Sequence, residues 1–289
     1  MVIPGKAIAS LLEEELKQQV QEFKKDHPTP LLRTILIGES TDQLSYVKSK
    51  QAVARRIGME FDFVHVPVVP TFEKFMNLLR KHSSDTRTTG MTVQQPLPIQ
   101  LQTDSIYNYI HITKEIEGHK AKSPYTPPIS LATLTLLNYV YNHTAVDSAV
   151  LIHTIDEAAE LRKKLRGKKI VIVGRGITGG APIGKTLNSM KINFMSINAQ
   201  TINPQQYYKE ADIIISAVGK QIIDANNLKQ GVVLINVGLR KENTAWMGDY
   251  VEADVEPIAS FYTPTPGGIG PLDITFLFYN LLKAAERQT

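Results

Sequence analysis

Cysteine is absent from this chain of 289 residues. That excludes disulfides, thiolate metal sites and cysteine nucleophiles, and it fits a reducing compartment. No apolar stretch reaches the length of a membrane-spanning helix, so no membrane partner is expected. The opening MVIPGKAIASLLEEELKQQV does not read as a signal peptide, because Glu13, Glu14 and Glu15 interrupt its apolar run. A cytoplasmic protein is expected. Internal repeats and low-complexity segments are missing too. The seven histidines show no metal-binding spacing, so no metal is expected, and His119 and His153 read as structural or exposed side chains. The single tryptophan, Trp246, carries no signal.

What remains is the composition of a soluble globular protein, 43% hydrophobic and 21% charged. The net charge of +4 suits anionic small molecules such as a dinucleotide or a carboxylated substrate. The basic run LRKKLRGKK (161–169) reads as the solvated face of a helix, so no nucleic-acid partner is expected.

The length allows two ordinary domains. Residues 7–26 read as an amphipathic helix, 31–38 as a buried strand, 43–57 as a helix and 60–68 as a second strand. A helix follows in TFEKFMNLLRKHS, then a strand in TGMTVQQPLP. Strands alternating with helices predict a parallel α/β layer. After the proline-rich break SPYTPPIS (123–130), LATLTLLNYVY and IDEAAELRKKL read as helices. A second alternating series starts at Lys168. KKIVIVG, NFMSIN, ADIIISAVG and GVVLINVG read as its strands, and a loop then leads into a closing helix.

Gly174, Gly176 and Gly179 stand in G-x-G-x-x-G spacing between a predicted strand and a predicted helix. Glycine permits the tight turn and the close approach of backbone to phosphate, and a helix N-terminus offers N–H groups to a pyrophosphate. The other reading is a glycine-rich α/β loop that binds nothing. An NAD site usually presents a carboxylate about twenty residues on. Here SINAQT (196–201) has none, and Arg175 lies within the turn. This points to NADP, with NAD as the alternative, if Arg175 faces a 2′-phosphate rather than solvent.

Tyr46 and Lys50 stand four residues apart, on one face of the 43–57 helix. A phenol beside an ammonium is a proton-handling unit; the bland alternative is an amphipathic helix with an exposed lysine. Short-chain dehydrogenases also carry Y-x-x-x-K, but there the nucleotide turn precedes the pair. Three more segments bear on the choice: VQQPLP places Gln94 at a strand end, KEIEG (114–118) sets carboxylates before a glycine, and TPTPGGIGP (263–271) opens the last helix.

Together with GKAIA, YVKSK, PYTP, GRGITGGAPIG and GDYVEADV, these segments resemble, in order and over nearly the whole chain, the bifunctional methylenetetrahydrofolate dehydrogenase/methenyltetrahydrofolate cyclohydrolase family. The resemblance implies an N-terminal α/β catalytic domain and a Rossmann-type dinucleotide-binding domain, with a cleft between them and homodimeric assembly. The folate-binding domain is placed at 1–143, completed by the helix 271–289, and the NAD(P)-binding domain at 144–270. The implied function is NADP-dependent oxidation of 5,10-methylenetetrahydrofolate and hydrolysis to 10-formyltetrahydrofolate, in one-carbon metabolism and purine biosynthesis. The resemblance gives Lys50 the proton transfer, Tyr46 its orientation and Gln94 a hydrogen bond to it. Glu117 falls where the family has a pterin-binding aspartate. Pro264, Gly267 and Gly268 fall in the folate-cradling loop, and Gly174, Arg175, Gly176 and Gly179 at the cofactor. A lysine desolvated beside hydrogen-bonding partners suits a base working near neutrality. The chain departs from the family at Glu117, Tyr125, Gly176, Asn198, Ala199, Gln200 and Asp273, and in a longer segment over 128–167 expected to add a helix beside the cofactor domain. These departures leave open a cyclohydrolase with impaired or NAD-dependent dehydrogenase activity, or a non-catalytic binding protein of the same fold.

Overall fold

The computed structural model describes residues 1–143, 145–243 and 245–289. They divide into two compact units, one of residues 12–128 and 274–289, the other of residues 1–11 and 129–273.

Helix α1 (Gly5–Phe23) enters the first unit at Leu12 and leads there to strand β1 (Leu31–Ile37), helix α2 (Thr41–Ile57), strand β2 (Glu60–Val66), helix α3 (Phe72–Ser84) and strand β3 (Gly90–Val93). The strands form a parallel sheet in the order β2-β1-β3. β1 and β3 are almost wholly buried, as expected where helices cover both faces of a parallel sheet. β3 is shorter than the strand expected over 89–98. Pro96 and Pro98 have no N–H to give a ladder, and pairing stops just before them. The helix α3 is capped by Thr71, whose side chain accepts from the Lys74 N–H.

Helix α4 (Pro128–Asn142) belongs to the second unit from Ile129 onward. Helix α5 (Ala159–Leu165), strand β4 (Ile170–Val173), helix α6 (Gly180–Ser189), strand β5 (Met195–Ile197), helix α7 (Pro204–Glu210) and strand β6 (Ile213–Ser216) come next. They are followed by β7 (Val233–Asn236), the hairpin strands β8 (Arg240–Glu242) and β9 (Ala245–Met247), helix α8 (Glu252–Val255), strand β10 (Phe261–Tyr262) and helix α9 (Ile269–Gln288), which passes into the first unit at Ile274. Among the described residues the large sheet is parallel, in the order β10-β7-β6-β4-β5. Every residue of β4, β6 and β7 is buried, which is why IVIV, IIIS and VLIN read as unbroken apolar runs rather than alternating ones. The helix expected over 155–165 exists as α only from Ala159. Its first turn is a tighter 3-10 segment at Asp156–Ala158, where the Glu157 side chain takes the His153 N–H and the Thr154 hydroxyl. The hairpin β8–β9, the helix α7 and the pairing of Val2 with Tyr262 went unseen in the sequence, each being too short for a period to show.

Candidate active site

Helix α2 has both its ends fixed. The Ser40 side chain accepts from the Gln43 N–H at the start, and Gly58, at φ +82°, closes the other end with its N–H on Ala54 O. Gln43, Val47, Lys50, Ala54 and Ile57 then form its buried stripe. Lys50 is thus not the exposed lysine of the bland alternative; it is 3% exposed. Its Nζ donates to Gln94 Oε1 at 3.2 Å and lies 5.4 Å from the centroid of the Tyr46 ring. Gln94 is placed by the ladder, since its N–H continues the pairing of β3 onto Ile35 O. Gln43 reaches from α2 to Pro96 O at 2.6 Å and ties helix and strand end together. A lysine in register with Val47 and Ala54 was the sequence signal for burial.

Glu117 sits on a turn shaped by its neighbour Glu115. The Glu115 carboxylate is 1% exposed and accepts the N–H groups of Glu117 and Lys120 at 3.0 and 3.2 Å. Gly118 completes the turn at φ +78°, where an added Cβ would also meet the Pro127 ring at 2.9 Å. The Glu117 carboxyl accepts the Val93 N–H at the open edge of β3 and feels the Lys50 charge. Burial pushes its pKa up, while Lys50 and the Val93 N–H pull the other way. Burial likewise raises that of Glu115, against the opposing charge of His119. Lys50, Gln94 and Glu117 therefore come together within the first unit, with Tyr46 beside them. Glu115 and His119 belong to this neighbourhood and were not singled out from the sequence; KEIEG did not say which glutamate faces inward.

In the second unit the Gly174 turn joins β4 to α6. Gly174 stands at φ +101°, and a Cβ there would lie 2.6 Å from Ala217 O. The tightest approach was not one of the three spaced glycines: a Cβ on Gly180 would lie 1.9 Å from Gly174 O. A Cβ on Gly179 would meet Ala217 Cβ at 2.9 Å, whereas Gly176 faces open space. This is a strand–turn–helix cradle able to take a pyrophosphate. Arg175 folds onto β5, donating from Nη2 to Ser196 O at 2.8 Å and from Nε to Ser196 Oγ at 3.2 Å. Its guanidinium thus stands beside the strand from whose end a ribose 2′ group is normally held. The loop after β5 closes on itself, with Asn198 Oδ1 accepting the Gln200 N–H and the Thr201 hydroxyl.

Pro264, Gly267 and Gly268 lie in the same unit, in a loop anchored by Asn236, Tyr250 and Glu252. Asn236 N–H donates to Thr263 Oγ1, the Tyr250 hydroxyl to Thr263 O, and the Thr265 N–H to Glu252 Oε1. Gly267 stands at φ +103°, and Gly268 is pressed against Pro264 O. Asp249, fully buried, accepts from the Ser216 hydroxyl and from the N–H groups of Val218, Gly219 and Lys220. That capture ends β6 at Ser216, earlier than the run ADIIISAVG suggested. Among the described residues no cluster of three or more His, Asp or Glu could hold a metal ion, and no helix is long and apolar enough to cross a membrane.

Comparison with known proteins bears on both units. Residues 3–117 match the family model of the tetrahydrofolate dehydrogenase/cyclohydrolase catalytic domain, and residues 151–289 match that of the corresponding NAD(P)-binding domain. The chain is 34% identical over 288 residues to the bifunctional protein FolD of Staphylococcus carnosus, covering 99% of this chain and 96% of that protein. A crystal structure of the bifunctional FolD methylenetetrahydrofolate dehydrogenase/cyclohydrolase of Campylobacter jejuni superposes with a TM-score of 0.80 at 26% identity, covering 100% of this chain and 99% of that one. The Trypanosoma brucei enzyme, solved with NADP and an inhibitor, shares the fold with a TM-score of 0.79 at 23% identity, covering 99% and 97% of the two chains.

Proposed function

The chain belongs to the tetrahydrofolate dehydrogenase/cyclohydrolase family of one-carbon enzymes, and from that premise we propose how its residues divide the two activities. It oxidises 5,10-methylenetetrahydrofolate to the methenyl compound and hydrolyses that to 10-formyltetrahydrofolate. The observation that carries the division is Lys50, buried on the inner stripe of α2 with Gln94 at 3.2 Å.

In the hydrolytic step water adds to the methenyl carbon and loses a proton, and the bond from that carbon to N5 then breaks as the hydroxyl proton passes to N5, leaving the formyl group on N10. The Lys50 nitrogen, as the neutral amine, takes the proton the water loses, and Gln94 Oε1 fixes where that nitrogen points. Tyr46 packs its ring beside the same nitrogen and orients it. Glu117 accepts hydrogen bonds from the pterin, in the place where the family carries an aspartate. Pro264, Gly267 and Gly268 cradle the folate on an anchored backbone. In the oxidative step bound NADP supplies the hydride acceptor. The chain's part in it is to hold the cofactor at Gly174, Gly176 and Gly179 and to set Arg175 against the 2′-phosphate. Neither step calls on a metal. Residues 1–143 with 271–289 serve as the folate-binding catalytic domain, and 144–270 as the NADP-binding domain. A homodimer is proposed on family grounds, and the apolar Met195 and Ile202, exposed at and near the edge strand β5, support it. The lack of cysteine supports a cytoplasmic setting.

Both activities are to be measured on the natural chain and on Lys50→Met, with NADP and with NAD. The variant is expected to lose hydrolysis by roughly 10²–10⁴-fold, the usual worth of a positioned proton-transfer group, and to keep most of its oxidation. Unchanged hydrolysis would overturn the mechanism. A second reading, a cyclohydrolase alone, is favoured by Asn198, Ala199 and Gln200, which offer a 2′-phosphate no charge. Turnover with neither cofactor beside intact hydrolysis would select it.

A further inference from the structure

The turn that carries Glu117 also carries His119, and the two side chains face each other. His119 Nε2 lies 3.9 Å from Glu117 Oε2, and the imidazole is only 9% exposed. Its ring is stacked on Tyr107, with centroids 4.1 Å apart and planes at 25°. The stack is itself fixed: the Tyr107 hydroxyl accepts from Gln95 Nε2 at 3.2 Å, and Gln95 O accepts from Gln94 Nε2 at 3.3 Å. A continuous path therefore runs from Lys50 through Gln94, Gln95, Tyr107 and His119 to Glu117, whose carboxyl feels Lys50 again. A surface histidine would need none of this. Two hydrogen bonds to Glu115 and the left-handed Gly118 impose the turn that turns His119 inward.

We propose that His119, held flat on Tyr107 and facing the Glu117 carboxylate, is a positioning residue that aims this carboxylate at the folate pterin. A glutamate has one more rotatable bond than an aspartate and gives up more rotamer freedom when it is fixed. Val93 N–H restrains one side of the carboxylate and His119 restrains another. Facing Glu117 at 3.9 Å, an imidazolium at His119 opposes the burial that raises the Glu117 pKa and so favours the acceptor-only form that pterin N–H donors require. The charged and titratable groups around the imidazole are Glu117, Glu115, Lys50 through Glu117, and the Tyr107 phenol, with Lys120 next in the chain and turned onto Ile110 O. The two carboxylates favour the imidazolium and Lys50 opposes it. Folate binding consequently weakens as pH rises through the imidazole range.

This rests on the reading of Glu117 as the pterin acceptor, and the experiment separates the two ideas. Folic acid, which does not react, serves as the probe, with its dissociation constant measured from pH 5.5 to 8 on the natural chain, Glu117→Gln, His119→Leu, His119→Gln and the double variant Glu117→Gln/His119→Leu. Both single changes at Glu117 and to leucine at His119 are expected to weaken binding about 5–20-fold at pH 6. The double variant is expected to be no weaker than Glu117→Gln alone, as for two residues acting through one contact. His119→Gln is expected to recover part of the affinity and none of its pH dependence. Within the enzyme, His119→Leu should raise the folate KM of both reactions and leave kcat within about threefold. If Glu117→Gln binds folic acid normally, the pterin assignment itself fails. If Glu117→Gln weakens binding while His119→Leu keeps the natural affinity and pH dependence, His119 is a structural ring only. Additive losses in the double variant overturn the proposal as well.

Discussion

At Lys50 the proposed chemistry is carried by side chains that arrive from three stretches of the first unit, around residues 46–50, 94–95 and 115–119. At Gly174 it is carried by the backbone of one short turn in the second unit. The first region pays for its proximity in burial: Lys50 and Glu115 lie out of water, Glu117 lies mostly out of it, and burial raises the pKa of both carboxyls. The second pays nothing in charge and depends instead on atoms that are not there, because a Cβ on Gly174 or Gly180 would run into backbone. Function built on side chains fails by losing a group, and function built on a bare turn fails by gaining one.

Variants of the turn test that contrast most sharply. Gly180→Ala sets a methyl 1.9 Å from Gly174 O, a backbone atom that cannot swing aside. The expected cost is about 1–3 kcal/mol of stability, as for overpacking, with oxidation falling far more than hydrolysis; denaturant melts and paired assays check it. An equal fall in both activities would break the comparison. Arg175→Ala is expected to raise the KM for NADP about tenfold, leave that for NAD nearly unchanged and spare hydrolysis. Equal effects on the two cofactors would remove the guanidinium from the 2′-phosphate.

Glu117→Gln probes the buried charges through stability. The folded-state pKa of Glu117 is raised, so the folded chain holds its proton over a range in which the unfolded chain has lost it. That proton binding makes this group's contribution to stability fall as pH rises from the ordinary glutamate range through the folded value. Melting temperatures should accordingly rise in Glu117→Gln relative to the natural chain as pH goes from 4.5 to 8. A gap that closes on the same climb would contradict burial as the dominant cause. The smallest effect belongs to Gly176→Ala, where a Cβ meets open space. Stability should stay within about 0.5 kcal/mol, as for surface changes, with any loss confined to the KM for NADP.

The parallel sheets were legible in the sequence because IVIV, IIIS and VLIN are apolar runs bounded by turns. The glycine turn was legible because its residues are consecutive. Gly180, the closest contact of all, lay outside the expected spacing, since its constraint comes from Gly174 O across the turn. Asp249 was missed for a related reason: its four hydrogen bonds reach back to residues 216–220, about thirty positions away. His119 read as structural or exposed until Glu115 and Gly118 were seen to turn it inward.

The amino-acid sequence by itself determined the alternation of strands and helices, the bare phosphate-type turn and the family, because each is written in local spacing or in ordered motifs. Only the tertiary structure decided that Lys50 is buried, that Glu117 rather than Glu115 faces it, and that His119 faces Glu117. Burial and charge pairing are properties of what surrounds a side chain, and those surroundings come from segments far apart along the chain.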